Sequence, residues 1–142
     1  MENKLDISAL KKAAEAFDNA MTFAQKVEMK TSEELEFFEF ESSRAAVIQY
    51  FEISYELCWK TMKRFIEMDI GAEADILTRK DLFRISAEKQ LIADFQRWVD
   101  YHRARNKTSH VYDEDAADEV YEIAKMFADD LRIFLKTMEQ RI

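Results

Sequence analysis

Apolar residues recur every three or four positions along most of this chain, the spacing of amphipathic helices. From residue 5 to 28 the stripe is Leu5, Leu10, Ala13, Phe17, Ala20, Met21, Ala24 and Val27. Residues 29–36 are polar and acidic, and Thr31 or Ser32 is placed to start the next element. Residues 37–41 (Phe-Phe-Glu-Phe-Glu) fit either a connector that packs its rings or an early helical turn. The strongest pattern spans about 43–68, where Val47, Phe51, Tyr55, Cys58, Met62 and Phe65 form one stripe. Ile48, Leu57, Trp59 and Ile66 widen it past half the circumference, so this helix is expected at the centre of the fold. Gly71 suits a helix stop. Thr78 with Asp81 three residues on resembles a capping box opening a short helix through Leu82, Phe83 and Ile85. Leu91, Ile92, Phe95, Trp98, Val99 and His102 continue the helical spacing to about residue 108, and 108–113 reads as a turn. Asp113, Glu114 and Asp115 put negative charge at the start of a last helix carrying Val120, Ile123, Ala124, Phe127, Leu131, Phe134 and Leu135. The expected fold is an all-α antiparallel bundle of four or five helices, one domain over residues 1–142.

Composition sharpens this picture through two counts: no proline and one glycine in 142 residues. Hairpins and tight βα turns need both residues, and a phosphate-cradling loop needs several glycines. Nucleotide-binding P-loops, dinucleotide-binding folds and hydrolase elbows are thereby excluded. The 48% apolar fraction is enough for an ordinary core and argues against disorder. No apolar run approaches the roughly 20 residues of a membrane span, and Met1-Glu2-Asn3-Lys4 does not open a signal peptide. A cytoplasmic location is the expectation.

The net charge of −8 argues against general nucleic-acid affinity. It is unevenly spread, because Arg97, Arg103, Arg105 and Lys107 face only Asp100 within residues 95–112. The same basic island holds both histidines, His102 and His110. Cys58, alone on an apolar stripe, reads as a buried structural thiol. Trp59 and Trp98 read as core or interface anchors, with base stacking the less favoured use. The acidic run 33–41 reads as a solvated face. Asp113, Glu114, Asp115, Asp118 and Glu119 lack the spacing of a calcium loop, and no Glu-x-x-His exists for a di-iron site. Neither a metal nor a cofactor is expected.

In the segment Arg103-Ala-Arg-Asn-Lys-Thr-Ser-His-Val-Tyr112, Arg105 supplies a forked phosphate donor and His110 a group titrating near neutrality. The same residues also suit a cation-decorated helix end, and composition does not choose between the two. Arg105-Asn106-(three residues)-His110-Val111-Tyr112 resembles the Arg-x4-His-x-Tyr signature of the HEPN superfamily of small all-α proteins, including the polar residue after the arginine. The block from Arg44 to Lys63 is similar to the subfamily described as nucleotidyltransferase substrate-binding proteins. That resemblance implies the toxin of a two-gene toxin–antitoxin module. Its implied activity is metal-independent endoribonuclease cleavage by Arg105 and His110. A partner minimal nucleotidyltransferase would act as antitoxin and adenylylate Tyr112. His102, Arg103, Asn106 and Lys107 would support RNA or nucleotide in a basic cleft. One motif histidine per chain leaves a proton role unfilled, which a two-fold homodimer would supply. The alternatives are a non-catalytic nucleotide- or substrate-binding subunit of a two-component nucleotidyltransferase, and a purely structural helical adaptor.

Overall fold

The computed structural model describes residues 5–30, 34–70 and 76–142, and the described residues form helices joined by short turns. These are α1 (Ser8–Glu28), α2 (Glu34–Ile70), α3 (Arg79–Glu88), α4 (Phe95–Asn106) and α5 (Glu114–Arg141), with a 3-10 turn over Lys107–His110 between the last two. The fold class is the all-α bundle expected from the periodicity. Thr31, Ser32 and Gly71, the anticipated start and stop signals, lie outside the described residues.

α2 packs against α1, α3, α4 and α5, as its wide apolar face requires. Ion pairs fix the directions of its neighbours. Lys11 meets Glu139 at 3.6 Å and Lys125 meets Glu28 at 3.4 Å, so α1 and α5 are antiparallel. α4 likewise opposes α5, through Arg97–Asp130 at 3.0 Å and Lys107–Glu119 at 2.5 Å. α2 runs in the same sense as α5, since Arg44 pairs with Asp118 and Phe51 with Phe127. Phe127 centres the core. Its ring lies 5.1 Å from Phe51 and Tyr101, 5.7 Å from Phe17 and 5.8 Å from Trp98, each edge to face. Cys58 is fully buried, and burial pushes its thiol well above the ordinary value, as a structural cysteine requires.

Two boundaries differ from the sequence pattern. The ambiguous aromatic segment is helical, because Phe40 packs edge-on to Tyr121 at 5.7 Å and so extends α2 back to Glu34. The stripe from Leu82 to His102 is not continuous. α3 ends in a Schellman turn in which Gln90 N–H bonds Ala87 O at 3.0 Å and Leu91 N–H bonds Ser86 O at 2.8 Å. Gln90 takes the left-handed conformation there (φ 61°), a place where glycine would have announced the stop. Leu91 and Ile92 are buried in the connector, and α4 begins at Phe95 behind the Asp94 cap. It ends at Asn106, two residues earlier than the stripe implied.

Candidate functional site

The motif arginine projects from the last turn of α4 onto the middle of α2. Arg105 Nε donates to Glu56 Oε1 at 3.0 Å and Nη2 approaches Glu52 Oε1 at 3.4 Å. Glu52 and Glu56 are four residues apart on one helix and therefore share a face. Thr108, in the 3-10 turn, places its Oγ1 3.5 Å from Nη1 while donating to the Arg105 carbonyl at 2.8 Å. One edge of the guanidinium is thus fixed by carboxylates, and the remaining N–H groups stay available to an incoming anion.

Glu56 is also the hinge to a second cluster. Its Oε2 accepts from Trp59 Nε1 at 2.8 Å, and the Arg79 guanidinium lies 3.4 Å from the centre of the Trp59 ring. Arg79 Nη1 donates to Tyr55 Oη at 3.3 Å, and Tyr55 Oη lies 2.8 Å from His102 Nδ1. Arginine and the Asn106 Nδ2 amide can only donate, so the Tyr55 oxygen accepts from Arg79 and the His102 nitrogen facing Asn106 accepts from that amide. His102 Nε2 accepts from Asn106 Nδ2, 3.5 Å away, so Nδ1 carries the imidazole hydrogen and donates it to the Tyr55 oxygen. Burial, with the positive charges of Arg79 and Arg105 behind it, holds the His102 pKa below its ordinary 6.5. His102 is therefore a neutral strut that orders Asn106, packed on Tyr55.

His110 and Tyr112 sit past the end of α4, on the 3-10 turn and the turn after it. Both are exposed, Tyr112 at 86%, with ring centres 6.2 Å apart at 71°. Among the described residues no hydrogen bond links His110 to Arg105; the fold brings them to one end of α4 without joining them. Arg103 is exposed and pairs with Asp100 at 3.6 Å, while Lys107 pairs with Glu119. These two line a groove of about 270 Å³ with Ala104, Val120 and Ile123.

The basic island of the sequence is accordingly not a free positive surface. Arg97, Arg103, Arg105 and Lys107 each have a carboxylate within 4 Å, three of them from another helix. Sequence reasoning also missed Glu52, Glu56, Tyr55, Arg79 and Thr108. The i, i+4 spacing of the two glutamates was visible, but which helix faced the motif was not.

An all-α bundle with Arg-x4-His-x-Tyr wrapped around the α4–α5 turn defines a HEPN-like protein. Residues 5–140 match the family described as nucleotidyltransferase substrate binding protein like, and the chain belongs to that family. It is 38% identical over 99 residues, 68% of each chain, to a Haemophilus influenzae protein named "Probable ribonuclease HepT". A solved Haemophilus influenzae structure, described as the fold of a substrate binding domain of a nucleotidyltransferase, aligns with a TM-score of 0.82 at 28% identity. That alignment covers 94% of this chain and 99% of the other. The family points to a nucleotidyltransferase as partner. Among the described residues, no helix is long and apolar enough to cross a membrane.

Proposed function

We propose that this protein is the toxin of a HEPN and minimal-nucleotidyltransferase pair, a metal-independent endoribonuclease acting through Arg105 and His110. One observation carries the reading: Arg105 is gripped along one edge by Glu56 and Glu52, beside a turn that leaves His110 exposed. In cleavage the RNA 2′-oxygen loses its proton to a base and attacks the adjacent phosphorus. The bond to the 5′-oxygen breaks, and that oxygen takes a proton from an acid. The Arg105 N–H groups not engaged by Glu56, Glu52 and Thr108 stabilise the charge on the pentacoordinate phosphate. His110 serves as base or acid, and His110 of a second copy takes the complementary role. The relative named a probable ribonuclease supports this assignment.

Tyr112 is the residue through which the partner nucleotidyltransferase silences the toxin. Its phenol oxygen attacks the α-phosphorus of ATP, pyrophosphate leaves, and the phenolic proton goes to solvent. The 86% exposure of Tyr112 supports access by a second enzyme, and the new phosphate lies beside His110. Such an adenylate competes with RNA for the Arg105 fork.

Incubation of purified protein with single-stranded RNA in EDTA tests the nuclease directly. Cleavage is expected from the wild type and is lost in Arg105→Ala and His110→Ala. A requirement for a divalent metal, or a wild-type rate in His110→Ala, refutes it. Intact mass after incubation with the partner and ATP tests the modification, with adenylyl units gained by wild type and none by Tyr112→Phe. A second reading, a non-catalytic nucleotide-binding subunit, draws on the solved relative described as a substrate binding domain. Nucleotide binding without RNA cleavage by the wild type would select it.

A further inference from the structure

We propose that Arg79 and Trp59 form a nucleotide subsite that takes one phosphate and one base of single-stranded RNA beside the phosphate held at Arg105. The proposal rests on the RNA reading above and adds residues from α2 and α3 to it. Its starting point is charge. Every cation of the motif region is already paired with a carboxylate. Among the described residues Arg79 has none; its partners are the Tyr55 phenol and the Trp59 ring. Lys60, 5.7 Å from the centre of the same ring, likewise has no carboxylate partner among the described residues. Folding therefore pairs the cations of the motif with carboxylates and leaves Arg79 and Lys60 beside Trp59 without one among the described residues.

The geometry suits a nucleotide. Stacking on Trp59 fixes the plane of the Arg79 guanidinium, and the Tyr55 bond uses Nη1. That leaves Nε and Nη2 for a bidentate phosphate contact. The indole is itself fixed, since its N–H is held by Glu56. A stack of indole and guanidinium is a platform on which any base can lie, which makes the contact tolerant of sequence. Glu56 ties this platform to Arg105 by holding both at once, 2.8 Å from Trp59 Nε1 and 3.0 Å from Arg105 Nε.

Anisotropy titration of the intact protein with a 2′-O-methyl oligoribonucleotide, which cannot be cleaved, separates binding from catalysis. Arg79→Gln is expected to weaken binding about tenfold, the loss of one charged hydrogen-bonding group. It should also lower the slope of log affinity against log salt by about 0.7, one phosphate contact on a single strand. Wild-type tryptophan emission should fall on binding, and the change reports Trp59 because Trp98 is only 2% exposed. Trp59→Phe removes that change. Arg79→Lys, which keeps the charge but loses the fork, should keep the slope and lose affinity. A folded Arg79→Gln protein with unchanged affinity and slope overturns the subsite, as does unaltered emission or no binding by the wild type at low salt. Arg79-dependent binding without cleavage of ordinary RNA would remove the nuclease and keep the subsite. Cleavage with Arg79-independent binding would do the reverse.

Discussion

Glu56 is the residue on which most of the site depends, because one carboxylate holds both the Arg105 and the Trp59 N–H groups. Its role is to position Arg105. Glu56→Ala frees the guanidinium to swing, and misplacement on the order of 1 Å can cost on the order of 10²-fold in rate. The expected result is a fall in kcat for RNA cleavage with a smaller change in KM. A rise in rate would mean that the carboxylates restrain Arg105 instead. His102 offers a pH readout. Its folded pKa lies below the free value of 6.5, so the unfolded chain binds the extra proton first. Its contribution to stability is full above pH 6.5 and is lost as pH falls below that value through the lower folded pKa. Urea unfolding at pH about 7.5 and about 5.5 should show part of the acid loss disappearing in His102→Gln. Equal acid sensitivity in the two proteins contradicts the half-buried neutral imidazole.

At the scale of elements, helix ends place the chemistry. α3 starts at Thr78, whose Oγ1 accepts from Asp81 N–H at 3.1 Å, and Arg79 is its first helical residue. Thr78→Ala should cost about 1 kcal/mol of stability and loosen Arg79 from Trp59. Denaturant midpoints check the first part, and a change in tryptophan emission the second. α5 starts at Asp113, which accepts from Asp115 N–H at 3.3 Å directly after Tyr112. That cap stops the turn from winding into α5 and keeps Tyr112 outside. The Thr78 and Asp113 signals were readable as Ser/Thr/Asp caps. The end of α3 was not, because Gln90 replaces the glycine that a Schellman turn usually shows.

Across the whole molecule, Phe127 joins α1, α2, α4 and α5 through four ring contacts. Phe127→Ala should cost about 3–5 kcal/mol, seen as a lower denaturant midpoint with an unchanged slope. The protein is expected to be a homodimer that brings two copies of the motif together. Ile53 on α2 stays 39% exposed one residue past Glu52, so apolar surface remains beside the site. Trp98, by contrast, is spent on the core and is not available to an interface. A monomeric mass by light scattering at micromolar protein would defeat the dimer.

The sequence by itself determined the helices, because periodicity and caps are local properties carried by neighbouring residues. It also determined the central rank of α2 and the motif at the α4–α5 turn. Only the tertiary structure decided which charges are free. Lys107 sits in a basic run along the chain yet pairs with Glu119 across the α4–α5 turn, and Arg105 reaches Glu52 and Glu56 some 50 positions away. Arg79, unremarked in an acidic chain, has a phenol and an indole as its partners and no carboxylate among the described residues. Electrostatic pairing depends on distance through space, which helix packing sets and linear spacing does not.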